Sequence, residues 1–214
     1  VGKTSAGLAI YDHLRFFDEA QHLLVVSTKR VSKHVWTNEV KKWENFGHLS
    51  ITPAIGTPEQ RIAAIGSRPH ILTINYENLP WLIDTVGDQR YWDMVIADES
   101  SRLKNLRIDT RVSTLGKVFL RKSGGSERAM RLAKIAHKKV RRWLNFTGTP
   151  ASNGLIDLYG QAWYLDAGQR LDHVVIGRAF RIGAFQPVAR QRHADNPLVP
   201  LPKLAVGQSQ LLDC

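Results

Sequence analysis

Short apolar runs alternate with amphipathic segments along the first 165 residues of the chain. Residues 4–17 carry apolar side chains at helical spacing, whereas residues 23–26 and 71–74 are compact apolar runs typical of buried strands. Further helices are predicted at residues 31–46, 58–65, 79–86, 127–142 and 153–165, and further strands at residues 50–55, 92–97 and 143–146. This alternation predicts an α/β fold with a doubly wound, mostly parallel sheet that has helices on both faces.

Two parts of the chain lack such a pattern. Residues 101–126 are too irregular to assign, and Ser-Gly-Gly-Ser at residues 123–126 looks like a flexible loop. Beyond about residue 178, four prolines interrupt any long periodicity. We therefore predict one domain over residues 1–170, truncated at its N-terminus. Residues 171–214 are interpreted as an irregular tail or as the start of a connection to another domain.

The formal net charge of +11 is concentrated in one segment. Residues 102–142 contain fourteen lysines and arginines but only Asp109 and Glu127 as acids, whereas the remainder of the chain is close to neutral. A basic stripe of this kind favours contact with a nucleic-acid backbone. The alternative is a solvated helix face whose charges only keep the protein soluble.

Composition argues against disulfides, a membrane span and a structural zinc site. The single cysteine, Cys214, excludes an internal disulfide. No apolar stretch approaches the roughly 20 residues that span a bilayer, and the histidines show no metal-ligand spacing. We expect a cytoplasmic protein with no membrane association.

The first residues after Val1 carry a candidate phosphate site. Gly2-Lys3-Thr4 matches the end of the loop G-x-x-x-x-G-K-[ST]. In that loop the lysine holds the β- and γ-phosphates of ATP, and the hydroxyl residue ligates Mg²⁺. We include Ser5 in this nucleotide-binding set. The tripeptide alone is also an ordinary helix start, and we expect the rest of the loop to precede Val1.

Two adjacent carboxylates follow the predicted strand at residues 92–97. Asp98 is suited to complete the Mg²⁺ coordination, and Glu99 is suited to orient the attacking water. The alternative is a pair of solvated acids, but two like charges at a buried strand end are costly without a cation. Together with Lys3 and Thr4, this pair predicts hydrolysis of ATP with Mg²⁺.

A third motif follows the predicted strand at residues 143–146, where Thr147-Gly148-Thr149-Pro150 places hydroxyl groups at a tight turn. With Asn153, it resembles the Thr-Gly-Thr-Pro-x-x-Asn pattern of superfamily 2 helicases, most closely the Swi/Snf-like translocases, including those encoded by bacteriophages. The resemblance covers about residues 1–170, because Gly2-Lys3-Thr4 is similar to motif I and Asp98-Glu99 to the Asp-Glu-x-x box.

This resemblance implies a RecA-like P-loop NTPase domain. It also implies catalytic roles for Lys3, Asp98 and Glu99. By the same resemblance, Thr147, Gly148 and Thr149 would couple the state of ATP to domain movement.

The resemblance extends to two more strand ends. Residues 25–29 are similar to motif Ia and residues 73–77 to motif Ib of the family. The residues that would then lie near a nucleic-acid track are Ser27, Thr28, Lys29, Asn75 and Tyr76. From the residues alone, the first three also fit an ordinary strand-to-helix turn, and Tyr76 fits packing at the edge of the core. We interpret Trp36 and Trp43 as packing residues.

The chain departs from the family pattern in two places. Ser100-Ser101 stands where many members have Ala-His or Gly-His, and the interval between Asp98 and Thr147 is long for the family. Nothing in the chain resembles the second RecA-like domain, which would supply an arginine finger, so we expect weak or no ATP hydrolysis from this chain alone.

The predicted function of the full-length protein is that of an ATP-dependent DNA helicase or translocase. Its partners would be DNA, single- or double-stranded, and the second RecA-like domain. Two alternatives stay open: a non-catalytic nucleic-acid-binding module that uses residues 102–142, and an RNA helicase of the same superfamily.

Overall fold

The computed structural model describes residues 2–89, 91–112, 118–124, 126–138, 140–151 and 156–166. Five parallel strands form the main sheet: β1 (Leu23–Ser27), β2 (Ile51–Pro53), β3 (Ile71–Asn75), β4 (Met94–Asp98) and β7 (Arg142–Phe146). A separate antiparallel ribbon consists of β5 (Arg107–Val112) and β6 (Val118–Gly124). The helices are α1 (Lys3–Phe16), α2 (Trp36–Lys42), α3 (Pro58–Gly66), α4 (Leu79–Val86), α5 (Glu127–Ala136) and α6 (Ile156–Asp166). Asn153 and the predicted tail lie outside the described residues.

The main sheet has the strand order β2-β3-β1-β4-β7 and separates two apolar cores. Successive residues of a strand point to opposite faces. Thus Leu24 and Val26 of β1 pack with residues of α3 to α6, whereas Val25 packs with residues of α1 and α2. Every residue of β1 and β3 is buried, as expected for parallel strands covered on both sides. The predicted α/β fold is confirmed, and none of the described helices is long and apolar enough to cross a membrane.

The predicted helix over residues 31–46 is confirmed only as far as Lys42. Val31–Val35 forms a π-helical turn, and α2 ends at Lys42. Trp43 is extended (φ −110°, ψ 119°), and its indole Nε1 donates to Glu39 Oε1 at 2.9 Å. A short 3₁₀ turn at Glu44–Phe46 follows and buries Phe46 in the core.

The basic segment is also more divided than predicted. The helix α5 ends at Ala136 instead of continuing to residue 142, because Arg142 begins β7 and pairs with Met94. Ser123 and Gly124 were predicted in a flexible loop but belong to β6, where Gly124 pairs with Arg107. Residues 102–142 therefore contribute to a turn, a ribbon, a helix and a strand, and they do not form one helix face.

Candidate functional site

The predicted chemical residues meet at the carboxyl edge of the main sheet, where ligands of open parallel sheets bind. Asp98 ends β4 and is the register partner of Phe146, the last residue of β7, so Glu99 and Thr147 leave the sheet side by side. The backbone N–H of Thr149 donates to Thr147 Oγ1 at 3.1 Å, which closes the turn around Gly148. The name acidic end is used below for the part of this edge that carries Lys3, Asp98, Glu99 and Thr147 and the turns beside them.

A left-handed glycine precedes α1. Gly2 has φ 84°, a left-handed conformation that favours glycine, and a Cβ placed there would meet no atom within 4 Å. Ser5 Oγ donates to the carbonyl oxygen of Gly2 at 3.1 Å. No acidic residue occupies the first turn of α1, and no side chain caps it. Because the first N–H groups of a helix need partners, this end can accept an anion such as a phosphate.

A glycine brings α1 close to the sheet. A Cβ on Gly7 would lie 2.8 Å from Phe146 Cε2 and 3.0 Å from Trp36 Cη2, both shorter than normal contacts. Only glycine therefore allows α1 to approach β7 and Trp36 this closely. The consequence is a fixed position of the Lys3 end of α1 relative to Asp98.

Asp98 is held by an aromatic residue. Trp36 is fully buried, and its Nε1 donates to Asp98 Oδ2 at 3.1 Å. Burial raises the pKa of Asp98 and the charge of Glu99 adds to the rise, whereas the Trp36 hydrogen bond and the charge of Lys3 oppose it. The interpretation of Trp36 as a packing residue missed this hydrogen bond, because helical spacing shows only that the side chain points inward.

Glu99 stands in a constrained turn. Its backbone is left-handed (φ 64°, ψ 52°), a conformation that costs free energy for a residue with a Cβ. The hydroxyl of Tyr76 donates to the carbonyl oxygens of Asp98 and Glu99 at 3.1 and 3.4 Å. Burial raises the pKa of Tyr76, so the phenol keeps the proton that it donates. Ser101 Oγ donates to Glu99 Oε1 at 3.0 Å, which fixes the carboxylate.

The acidic end suits Mg²⁺ bound together with a nucleotide. Within the described ranges, no three His, Cys, Asp or Glu side chains form a cluster that could hold a metal by themselves. Mg²⁺ commonly takes only one or two protein oxygen ligands and completes its shell with water and phosphate oxygens. The hydroxyl of Thr4 and the carboxylate of Asp98 are oxygen donors of this kind, so the residues fit the ion.

A second site, which we call the basic groove, lies at the ends of β1 and β3. Its volume is about 610 Å³, and its lining includes Thr28, Lys29, Arg30, Asn75, Glu77 and Arg102. Glu77 Oε1 accepts hydrogen bonds at 3.2 Å from both Arg102 and Arg128. Burial acts to raise the pKa of Glu77, but the hydrogen bonds from Asn75 and its own backbone and the two arginines lower it overall.

The residues predicted to lie near a nucleic-acid track differ in where the structure places them. Ser27 is 1% exposed and shares a 2.6 Å hydrogen bond with Ser32, and Tyr76 is 0% exposed. Their side chains expose almost no surface in this structure, and their place near a nucleic-acid track stays a prediction. Thr28, Lys29 and Asn75 line the basic groove and stay in the predicted set.

Ion pairs offset part of the basic segment. Among the described residues, the pairs that join it to acids elsewhere are Arg102 and Arg128 with Glu77, Lys104 with Asp157, Arg131 with Asp84, Arg141 with Asp93 and Arg142 with Glu19. These partners reduce the local positive potential along residues 102–142. The basic groove is therefore a better candidate for nucleic-acid contact than the segment as a whole.

The five-stranded parallel sheet with helices on both faces matches the fold of a RecA-like ATPase core. The structure resembles the SWI2/SNF2 ATPase core of Sulfolobus solfataricus, solved in complex with dsDNA, with a TM-score of 0.59 and 22% sequence identity. The match covers 78% of this chain and 30% of that chain. At this identity the likeness shows the fold alone.

One protein relative is much more similar in sequence. Over 173 residues the chain is 43% identical to protein p41 of Acyrthosiphon pisum secondary endosymbiont phage 1. This match covers 80% of the chain and 35% of the phage protein, so the chain spans about a third of the length of that relative. No protein-family model matches the chain.

Proposed function

We propose that this chain is the ATP-binding lobe of a Swi/Snf-like superfamily 2 enzyme that couples ATP hydrolysis to movement along DNA. The observation that carries the proposal is the meeting of Lys3, Asp98, Glu99 and Thr147 at one edge of the sheet. The RecA-like fold and the resemblance of three ordered motifs support the same function.

The acidic end supplies the groups that phosphoryl transfer requires. Bound Mg²⁺ and ATP would supply an activated phosphoryl group. Lys3 would hold the β- and γ-phosphates, and Thr4 and Asp98 would ligate the metal ion. Glu99 would orient the attacking water, with its carboxylate held by Ser101. Catalysis of this kind depends mainly on positioning and electrostatics, which the rigid turn around Glu99 favours.

The basic groove supports binding of a nucleic-acid backbone. Thr28, Lys29 and Arg30 offer a hydroxyl and two cations, which can contact phosphates without reading sequence. A hydrolysis cycle would then change the position of this groove relative to a second RecA-like lobe. The DNA that was bound to the Sulfolobus core favours DNA over RNA as the polymer.

Steady-state ATP hydrolysis by the full-length protein tests the proposal. We expect Mg²⁺-dependent ADP release that increases on addition of duplex DNA and is lost in Lys3→Ala. Stimulation by RNA but not by DNA would instead favour an RNA helicase of the same superfamily. Nucleic-acid binding without any ATP hydrolysis would contradict the proposal and favour the non-catalytic module.

A further inference from the structure

A single glutamine of α6 contacts both turns of the acidic end. Gln161 lies on α6 and is 5% exposed, although its helix mainly presents apolar side chains to the core. Its side-chain Oε1 accepts a hydrogen bond from Ser100 Oγ at 2.8 Å. Its Nε2 donates to the carbonyl oxygen of Pro150 at 2.6 Å and to that of Asp157 at 3.0 Å. The oxygen and both N–H donors of the amide are therefore engaged.

Gln161 holds the Thr147–Pro150 turn at both ends. The side chain of Asn145, which precedes the turn in β7, donates through Nδ2 to the backbone oxygen of Gln161 at 2.8 Å. Pro150, at the other end of the turn, accepts from the side chain of Gln161. One residue of α6 therefore contacts the chain on both sides of Thr147, Gly148 and Thr149.

The same residue is tied to the carboxylate turn. Ser100 is 0% exposed and directly follows Glu99, so its hydroxyl has no access to water and depends on Gln161. A buried hydroxyl left without a partner is costly, which makes the bond hard to give up. A displacement of Ser100 must therefore displace Gln161 as well.

Close backbone packing makes this contact possible. A Cβ on Gly160 would lie 2.5 Å from the carbonyl oxygen of Lys104 and 2.7 Å from that of Leu103. Both carbonyls belong to the turn that continues from Ser100. Only glycine lets α6 approach this turn so closely, and the adjacent ion pair of Lys104 Nζ with Asp157 at 3.2 Å holds the same two elements together.

We propose that Gln161 is a positioning residue that transmits movement of the Asp98-Glu99 turn to the Thr147–Pro150 turn. The inference rests on the proposed function, because the movement would come from ATP binding and hydrolysis at the acidic end. It also explains why Ser100 replaces the small apolar residue of the family pattern: the hydroxyl supplies the hydrogen bond to Gln161.

Amide hydrogen exchange of the full-length protein, with and without Mg²⁺ and a non-hydrolysable ATP analogue, tests this inference. In the wild type we expect the analogue to slow exchange in peptides covering residues 2–6 and 146–151. In Ser100→Ala and in Gln161→Met, the change at residues 2–6 should persist and that at residues 146–151 should disappear. A matched control is Tyr164→Phe, which also removes one buried hydrogen bond of α6, from Tyr164 Oη to the carbonyl oxygen of Ala129.

Kinetics add a second readout. Both variants should lower kcat roughly 10-fold with the KM for ATP changed less than about twofold, since misplacement of a catalytic turn costs turnover more than binding. The double variant should be no slower than the slower single variant, because one hydrogen bond is shared. Tyr164→Phe should lose about as much thermal stability as Ser100→Ala and Gln161→Met, but it should keep the wild-type kcat.

The outcomes separate the inference from the proposed function. If the wild type shows no exchange change at residues 2–6, no nucleotide binds there and the proposed function fails. If that change is present and Ser100→Ala keeps both the change at residues 146–151 and the wild-type kcat, the role of Gln161 is refuted while the nucleotide site stands. Ser100→Ala decides this even if Gln161→Met does not fold.

Discussion

The acidic end and the basic groove lie at the same edge of one sheet but differ in their environment. Asp98 and Glu99 are part-buried and fixed by Trp36, Tyr76 and Ser101. Lys29 and Arg30 in the groove are exposed, and Arg102 is paired with Glu77 while 40% exposed. Buried groups act through precise positioning, and exposed charges act through a salt-screened field. The two sites should therefore respond differently to the same kinds of substitution.

The largest effect is expected from Glu99→Gln. The amide keeps the shape of the side chain and its hydrogen bond from Ser101 but no longer acts as a base, so turnover should fall about 10²–10⁴-fold. Affinity for the ATP analogue and for DNA should be unchanged. Single-turnover hydrolysis by the full-length protein measures the loss of turnover. Equilibrium titration measures the affinities for the ATP analogue and for DNA. Retained turnover would show that Glu99 is not the group that orients water.

Charge removal in the basic groove should weaken DNA binding and leave the nucleotide site unaffected. Lys29→Ala combined with Arg102→Ala should weaken DNA binding on the order of 10-fold at low salt. The slope of log affinity against log salt concentration should fall by about 1 for each charge removed. Nucleotide affinity should not change.

Lys41→Ala is the matched control, since Lys41 is exposed on α2 and outside the groove lining. It should leave both affinities unchanged. Equal weakening by the control would mean that DNA binds through diffuse charge and not through the groove.

Gly7→Ala tests whether the close approach of α1 to the sheet supports the acidic end. The added methyl group would meet Phe146 and Trp36, so we expect a loss of about 1–3 kcal/mol in the free energy of unfolding and weaker nucleotide binding. Gly66→Ala on α3 is the control, because a Cβ there meets no atom within 4 Å. Chemical denaturation measures the free energy of unfolding of both variants. An equal effect of the two substitutions would refute the role of the contact.

The smallest effect is expected from Asp98→Asn in the nucleotide-free protein. A carboxyl whose pKa is raised by folding destabilises the folded state when it is ionised, so the neutral amide should stabilise the fold at pH 7, on the order of 2 °C in the unfolding midpoint. The advantage should shrink as the pH falls and Asp98 becomes protonated. Thermal unfolding across pH 4–8 measures it. A less stable variant at pH 7 would mean that Trp36 and Lys3 outweigh burial.

The sequence allowed the fold to be predicted because β1, β3 and β4 carry compact apolar runs and because β4 and β7 end in recognisable motifs. It did not show that Trp36 reaches Asp98, since helical spacing reports only which face is buried. Gln161 did carry a usable signal: it is a polar residue among Tyr159, Trp163 and Tyr164 on an apolar helix. The ribbon of β5 and β6 was missed because only β5 alternates polar and β-branched residues, whereas β6 shows no such period.

Equilibrium binding of a fluorescent ATP analogue with Mg²⁺, measured at fixed salt for the wild type and Lys3→Ala, tests the central claim most directly. The claim is that the acidic end is a nucleotide site. We predict binding by the wild type that falls at least roughly 10-fold in Lys3→Ala, while DNA affinity stays the same in both. Equal binding of the analogue by the two proteins, or none by either in full-length form, would contradict it.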